Sequence, residues 1–183
     1  MGDKEGALGV VQVLVANTQA EGALLGWLRP LAAMAMTHFP GLASSPKWEP
    51  PRGIGAESPE ELQQRILETA QAITLRCQAL AYPLHRAGTV LPLFIQCFLH
   101  VAEHHKSKAL RAQSLVCLRD MLLAVDSADV CGMFLPGVVS TLTRVLARQD
   151  VHTGSKVHAG AIQALHTITT LVCADGINHE ALA

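Results

Sequence analysis

Apolar residues recur at steps of three and four along most of this chain, which is the spacing of helices that bury one face. The clearest case follows the stretch "SPEE" that begins at Ser58. There Ser58 can cap the helix, Pro59 suits its first position and Glu61 completes a capping box. The apolar face that follows consists of Leu62, Ile66, Thr69, Ile73, Cys77 and Leu80.

The same spacing predicts helices along nearly the whole sequence, and Pro30 is expected to bend the second of them. No segment alternates strictly between apolar and polar residues, so no strand is predicted and the expected fold class is all-α. The predicted helices cover residues 7–17, 20–38, 59–82, 89–104, 107–125, 127–148 and 154–174.

One stretch, residues 39–58, lacks any apolar period and is rich in Pro, Gly and Ser, which is typical of a loop or linker. Trp48 within it is a candidate docking anchor for a partner, although a plain linker is the favoured interpretation. The predicted organisation is an N-terminal helical segment over 1–38 (a candidate degenerate repeat), this linker, a HEAT-like α-solenoid over 59–175 and a tail over 176–183.

An internal repeat supports the solenoid. The helix around Pro92 matches the helix around Pro136 at an offset of 44 residues, and the helices that follow match at 47, with Leu110 opposite Val157. A period of 44 to 47 residues with two helices per unit is that of HEAT-type solenoids, which are antiparallel helix pairs stacked side by side. In this register Leu118 and Leu165 are equivalent, and both are predicted to be buried.

The final predicted helix carries an apolar arc that is wider than one neighbouring helix needs. Inner repeats have such faces, whereas terminal repeats are polar on the outside. The sequence therefore predicts an unfinished edge at the last helix, and self-association or a requirement for a partner.

The stretch "HVAEH" fits the H-x-x-E-H pattern of zinc peptidases. His100 and His104 would be metal ligands on one helix face, Glu103 the general base and Glu180 a distant third ligand. A zinc hydrolase is therefore an alternative, though a remote one.

The repeat argues against this alternative. Moving 44 positions along the chain from His100 and His104 leads to Arg144 and Arg148. Two arginines on the equivalent face indicate a solvated surface and not a metal pocket. We therefore expect no catalytic residues, no bound metal and no cofactor. No nucleophile triad or phosphate-binding Gly-rich loop is recognisable by spacing.

The composition argues against two classes of partner, nucleic acids and anionic membranes. The formal net charge is -1, with 14 basic and 15 acidic residues, so no excess of positive charge points to nucleic acid or an anionic membrane. No secretory signal is recognisable. We therefore expect the protein in the cytoplasm, with the nucleus as a further location. In these compartments thiols are reduced, and we expect most of them to be buried. The five cysteines are Cys77, Cys97, Cys117, Cys131 and Cys173.

The stretches "AEHHKSKALRAQSLVCLRDMLLAVD" and "FLPGVVSTLTRVLARQDVHTGSKVHAGAIQALHTITTLVCAD" resemble the TELO-two-interacting protein family, specifically its first member, the HEAT-repeat scaffold of the Triple-T co-chaperone complex. The resemblance is good over 84–175 and weaker over 59–82. It is carried by Glu103, Lys106-Ser107-Lys108, Cys117-Leu118, Phe134-Leu135-Pro136-Gly137, Leu142-Thr143-Arg144, Gly154 and Ala174-Asp175.

The resemblance implies a non-enzymatic scaffold. Its expected partners are the other Triple-T subunits, the heat-shock chaperone machinery and phosphatidylinositol 3-kinase-related kinases, whose maturation supports TOR signalling and DNA-damage responses. Family members are several times longer, so the chain is expected to be an N-terminal portion or a truncated product. An unrelated HEAT-repeat adaptor or transport scaffold is the alternative. No residue is assigned to partner binding.

Overall fold

The chain folds into helices throughout the part that its computed structural model describes, which is residues 4–39 and 59–180, with side chains over 6–39 and 60–173. No strand occurs in these ranges, and the predicted all-α class is confirmed. The elements are α1 (Lys4–Asn17), α2 (Glu21–His38), α3 (Pro59–Ala79), a 3-10 helix (Leu84–Ala87), α4 (Val90–His104), α5 (Lys108–Val125), α6 (Ala128–Leu146) and α7 (Lys156–Glu180).

The helices form two layers. Helices α2, α4 and α6 stack in one layer, and α1, α3, α5 and α7 stack in the other. Across the layers, α2 packs on α3, α4 on α5 and α6 on α7, so three consecutive helix pairs lie side by side. This is the predicted α-solenoid, in which each pair contacts mainly its neighbours.

Hydrogen bonds at both ends of the first pair show that its helices run antiparallel. Near the start of α3, Gln63 Nε2 donates to the carbonyl of His38 at the end of α2, at 2.7 Å. Beyond the other end of α3, the Tyr82 hydroxyl donates to the carbonyl of Gln19, which precedes α2, at 2.7 Å. The pair is thus fixed at both ends by side chains that satisfy free backbone carbonyls.

The buried positions of α3, α5 and α7 follow one register. Leu62, Leu110 and Val157 open the buried face of the three helices, at offsets of 48 and 47 residues. Leu118 is completely buried, as predicted, whereas Leu165 is only half-buried against the core. The expected full burial of Leu165 was therefore wrong, because α7 packs on α5 and α6 and no described helix covers its far side.

The prolines of the α2–α4–α6 layer differ in position. Pro92 is the third residue of α4, where a missing N–H costs no intrahelical hydrogen bond. Pro30 and Pro136 lie inside α2 and α6, and both helices continue beyond them. The packing of the two layers therefore outweighs the local cost of a proline within a helix.

The serines that precede three of the helices differ in their hydrogen bonds. Ser107 occupies the cap position of α5 but makes no side-chain capping bond; its backbone N–H instead donates to Nδ1 of His105, at 3.0 Å. Ser127 and Ser155 do act as caps, and accept from the N–H groups of Val130 and His158 at 3.4 and 3.2 Å.

Two expectations concern residues outside the described part of the chain, the predicted cap Ser58 and the candidate anchor Trp48.

Two helices differ from the predicted ones. Helix α7 continues to Glu180, six residues past the end predicted at Ala174. The 3-10 helix Leu84–Ala87 was not predicted, because four residues are too few to show an apolar period.

Replacing Leu118 with Ala should lower the free energy of unfolding by about 2–5 kcal/mol, because a completely buried leucine leaves a cavity. Leu165→Ala should lower the free energy of unfolding by less, because the Leu165 side chain is only partly buried. Urea unfolding followed by circular dichroism measures both. A loss below about 0.5 kcal/mol for Leu118→Ala would contradict the register.

Candidate functional site

The two histidines of the H-x-x-E-H stretch lie on the outer face of α4, in its last turns. His100 and His104 are one helical turn apart, and their ring centroids are 4.9 Å from each other. The side chain of His104 is 56% exposed. The two imidazoles therefore lie side by side near the surface, with their planes tilted by 46°.

Glu103, the residue that would be the general base of a peptidase, is held in an ion pair. Its two carboxylate oxygens accept from Arg144 Nε at 2.6 Å and Nη2 at 2.9 Å, a bidentate pair between α4 and α6. Arg148 Nη1 donates to the backbone carbonyl of Glu103 at 2.6 Å. The hydrogen bonds from Arg144 lower the pKa of Glu103, and this carboxylate is committed to joining two helix pairs.

The zinc-site hypothesis requires a third ligand beside His100 and His104, and the described residues do not supply one. Among the described residues, no group of three or more His, Cys, Asp or Glu side chains is placed to hold a metal ion. The side chain of Glu180 lies outside the described side chains. Arg144 and Arg148 both bind the end of α4, and Arg144 occupies the acidic group that zinc chemistry would need.

A second polar contact joins the same two pairs from the inside. Arg111, in the first turn of α5, is completely buried. Its Nε donates to the carbonyl of Ala102 near the end of α4, at 2.8 Å, and its Nη1 contacts Asp150 in the α6–α7 turn at 2.5 Å. Three elements therefore meet at one guanidinium.

Asp150 is shared between two arginines. Arg148 Nε donates to its other oxygen at 2.9 Å. The hydrogen bond from Arg148, followed by that from Arg111, lowers the pKa of Asp150 from 3.8 to about 2. The α6–α7 turn is thus fixed by a carboxylate that stays ionised throughout the physiological range.

Gln63 occupies the place of Arg111 in the preceding pair, 48 residues earlier. It donates to the end of α2, as described above, and its Oε1 lies 3.1 Å from Nε2 of His105 in the α4–α5 turn. Each of these two side chains therefore contacts the end of its partner helix and the turn of the next pair.

A polar network runs across the outer face of the α3–α5–α7 layer. Gln71 on α3 accepts from Gln113 and donates to Asp120, both on α5 and both at 2.7 Å. Arg119 on α5 bonds Asp120 and reaches Gln163 on α7 at 3.3 Å. These bonds hold the three helices in register on a face that is otherwise open to solvent.

Two surface grooves follow the boundary between the second and third pairs. The groove between α4 and α6 has a volume of about 370 Å³, and its lining includes His100, His104, Phe134 and Met133, which is 71% exposed. The groove between α5 and α7 has a volume of about 780 Å³. Shallow grooves between stacked helices are protein-binding surfaces in solenoids.

Helix α6 is the only helix of the described ranges that is long and apolar enough, by length and composition alone, to cross a membrane. Here it packs on α4 and α7 and buries Val138, Leu142 and Val145 between them. Its apolar character is accounted for by these contacts and by the exposed apolar side of the α4–α6 groove.

The cysteines are free, and four of the five are buried, as the sequence indicated. Burial raises the pKa of Cys97 and of Cys117 to about 12, and that of Cys77 to about 11. Thiols with such pKa values are protonated at neutral pH, so they act as small apolar residues and not as nucleophiles. Cys173, on α7, is exposed.

The profile of one protein family, described as the TTI1 N-terminal TPR domain, matches residues 8–181. The chain belongs to this family. The match runs from within α1 to the end of α7, and it includes α2, where the sequence alone gave little similarity. A search of curated proteins and a search of solved structures each returned no match.

The family description uses the term TPR, whereas the period in this TTI1-family chain is 44 to 47 residues. TPR units repeat every 34 residues, and HEAT units every 40 to 47. Both are stacked antiparallel helix pairs, so the family assignment and the observed two-layer architecture agree. The expected resemblance to the scaffold of the Triple-T complex is confirmed at the level of the family.

Sequence reasoning missed the contacts of Arg111 and treated the Glu103 region as simply solvated. A signal for the first was present: a basic residue follows the apolar one in both copies of the repeat, Arg111 in one and His158 in the other. A basic side chain beside a buried position predicts either an exposed tip or a buried partner. The sequence did not say which.

Arg111→Met should lower the free energy of unfolding at neutral pH by about 2 kcal/mol, because charge-assisted hydrogen bonds to Ala102 and Asp150 are lost. The loss should shrink with acidification. Asp150 has a lowered pKa in the folded chain, so its contribution is complete above pH 3.8 and disappears as pH falls through 2.

Urea unfolding at several pH values measures this difference. Arg65→Met is the matched control, because Arg65 is exposed and pairs only with Glu68 on its own helix. An Arg111→Met loss no larger than that of the control would show that the buried guanidinium does not stabilise the array.

The purified chain should contain no stoichiometric zinc, and His104→Ala should leave its metal content and stability unchanged. The reason is that Arg144 already occupies the carboxylate of Glu103. Elemental analysis after purification without chelators is the measurement. One zinc per chain that disappears in His104→Ala would instead support the peptidase hypothesis.

Proposed function

We propose that this chain is a non-enzymatic scaffold of the Triple-T type, which binds the other Triple-T subunits and supports the maturation of phosphatidylinositol 3-kinase-related kinases together with heat-shock chaperones. The observation that carries the proposal is the family match over residues 8–181, which coincides with a continuous two-layer helix array. We place this activity in the cytoplasm and also in the nucleus.

The chemistry of the described residues supports a binding role. Glu103 is taken up by Arg144, the four buried thiols are protonated, and Asp150 is taken up by Arg148 and Arg111. These six groups therefore serve packing and inter-helix contacts. What remains accessible is a set of grooves with apolar walls and polar rims, which suits protein partners.

The test is reconstitution with purified proteins. The chain should bind one of the other two Triple-T subunits directly in sedimentation or calorimetry. Met133→Ser and Leu75→Ser, both exposed apolar residues, distinguish the α2–α4–α6 layer from the α1–α3–α5–α7 layer as the contact surface, without disturbing the core.

In cells, replacing the resident family member with one that lacks residues 8–181 should lower the abundance of the kinases. Direct binding to neither subunit, together with unchanged kinase levels, would overturn the Triple-T role. It would leave the alternative of an unrelated helical-repeat adaptor.

A further inference from the structure

The groove between α5 and α7 is basic at one end, where both helices begin. Its volume of about 780 Å³ is within the range of ligand-binding clefts in proteins. Lys108 and Lys156, the first residues of α5 and α7, line this end together with His152 from the α6–α7 turn. All three residues are exposed. The groove therefore presents a cluster of basic side chains to a molecule that enters from this end.

The two lysines are unpaired within the described chain. Neither ammonium group forms an ion pair or a hydrogen bond with a described residue. Asp150, an acidic residue in the wall of the groove, is already engaged, because its oxygens accept from Arg111 and Arg148. The positive charge at the start of α5 and α7 is therefore not neutralised by the described part of the chain.

The placement of these lysines opposes the stability of their own helices. The N-terminus of a helix carries a partial positive charge, so acidic residues are favoured in the first turn and basic residues are not. Helices α2, α3 and α6 follow this rule, with Glu21, Glu60 and Asp129 in their first turns. Helices α5 and α7 begin with lysine and have no acidic residue there. Because helix stability does not account for the two lysines, they point to an external partner.

Amide side chains from three successive helices of this layer also line the groove. They are Gln64 on α3, Gln113 on α5 and Gln163 on α7. Contacts within the protein use one end of each amide, Nε2 of Gln64 and Gln113 and Oε1 of Gln163. The other end of each amide has no hydrogen bond to a described residue. Two acceptors and one donor group are therefore available to the backbone of an extended peptide.

Apolar side chains lie between these polar groups. Ala112 and Val116 on α5 are half-buried, and Ala159 on α7 is exposed. No Phe, Tyr or Trp is among the described residues that line the groove, and the net charge of the chain is -1. Single-stranded nucleic acid is bound by aromatic stacking and extended positive charge, so this groove favours a protein ligand instead.

We propose that the α5–α7 groove binds an acidic, extended segment of a protein partner. Two carboxylates of the segment pair with Lys108 and Lys156, and its backbone bonds the free ends of the glutamine amides. An apolar side chain between the carboxylates packs on Ala112 and Ala159.

The distance between the helices sets the spacing of the two acidic residues. The axes of packed helices are about 8–10 Å apart, so the first residues of α5 and α7 are separated by a similar distance. In an extended chain with three residues per turn and a rise of about 3.1 Å, residues three positions apart lie about 9 Å from each other on one side. The expected segment therefore carries acidic residues at positions i and i+3.

This inference rests on the scaffold role proposed above, because it names the chemistry of one partner segment. It does not depend on which protein carries that segment, so synthetic peptides test it separately from the Triple-T subunits. If those subunits bind the chain and the acidic peptide does not, the scaffold role stands and the proposed groove ligand is wrong.

Fluorescence anisotropy with a labelled peptide measures the binding to the full chain. The probe has about ten residues, with two glutamates three positions apart, a leucine between them and Gly-Ser flanks. It should bind at least about tenfold more tightly than the same peptide with glutamines in place of the glutamates, and the difference should shrink as salt is added. Equal binding of the two peptides, or binding of neither, would overturn the proposal.

Charge reversal locates the site. Lys108→Glu and Lys156→Glu should each weaken binding of the acidic probe by at least about fivefold, because like charges then face each other. Both variants should stay folded, since a carboxylate is favoured in the first turn of a helix, and circular dichroism verifies this. Arg29→Glu is the matched control, because it changes the net charge equally on an exposed site of α2, in the other layer.

The control should leave the affinity nearly unchanged. If Arg29→Glu weakens binding as much as the lysine variants do, net charge alone controls the affinity and the groove is not the site. A probe with lysines in place of the glutamates should bind the variant carrying both Lys108→Glu and Lys156→Glu more tightly than it binds the original chain. No gain from this exchange of charges would also contradict the assignment.

A labelled oligothymidylate of similar length tests the competing ligand class. It should bind more weakly than the acidic peptide at the same salt concentration. Tighter binding of the oligonucleotide, lost in Lys156→Glu, would identify single-stranded nucleic acid as the ligand and overturn the proposal of a protein segment.

Discussion

The buried guanidinium of Arg111 is the contact on which the arrangement of the second and third helix pairs depends. A buried cation is expensive unless its donors are satisfied and a negative charge is near. The α4 carbonyl of Ala102 and the carboxylate of Asp150 meet most of this requirement, and only Nη2 lacks a partner among the described residues. Apolar packing holds the layers together, but it has no direction. The guanidinium adds direction, because only one placement of the α6–α7 turn brings Asp150 within reach.

The Glu103–Arg144 pair performs the corresponding task on the outer face of the same boundary. It joins α4 to α6 at the surface while Arg111 joins α5 to the α6–α7 turn inside. The stretch that matches a zinc-peptidase pattern is thus part of an inter-helix ion pair. A short motif specifies side chains on one helix, whereas their chemistry depends on what the neighbouring helix presents to them. Here that neighbour presents an arginine.

Much of this fold could be read from the sequence. Helix existence, the pairing of α4–α5 with α6–α7 and the burial of Leu118 followed from the apolar period and from the internal repeat. The half-exposure of Leu165 did not, because a repeat predicts equivalent positions and not the presence of a neighbour to cover them. Ser107 makes no side-chain capping bond, and its own backbone N–H donates to Nδ1 of His105. The partners of Arg111 lie 9 and 39 residues away, so only the packed helices bring them together.

The 39 residues between Arg111 and Asp150 affect the order in which the helix pairs fold. A ribosome releases Arg111 well before it releases Asp150, and helices α4 and α5 can pair as soon as both have emerged. During that interval the guanidinium has no carboxylate to meet, and the new hairpin must keep it hydrated or leave the pair loosely closed. Tight closure of the second pair therefore waits for the turn of the third. The helix pairs of such an array therefore close in order from the N-terminal side, and each closes tightly only after the turn of the following pair has been synthesised.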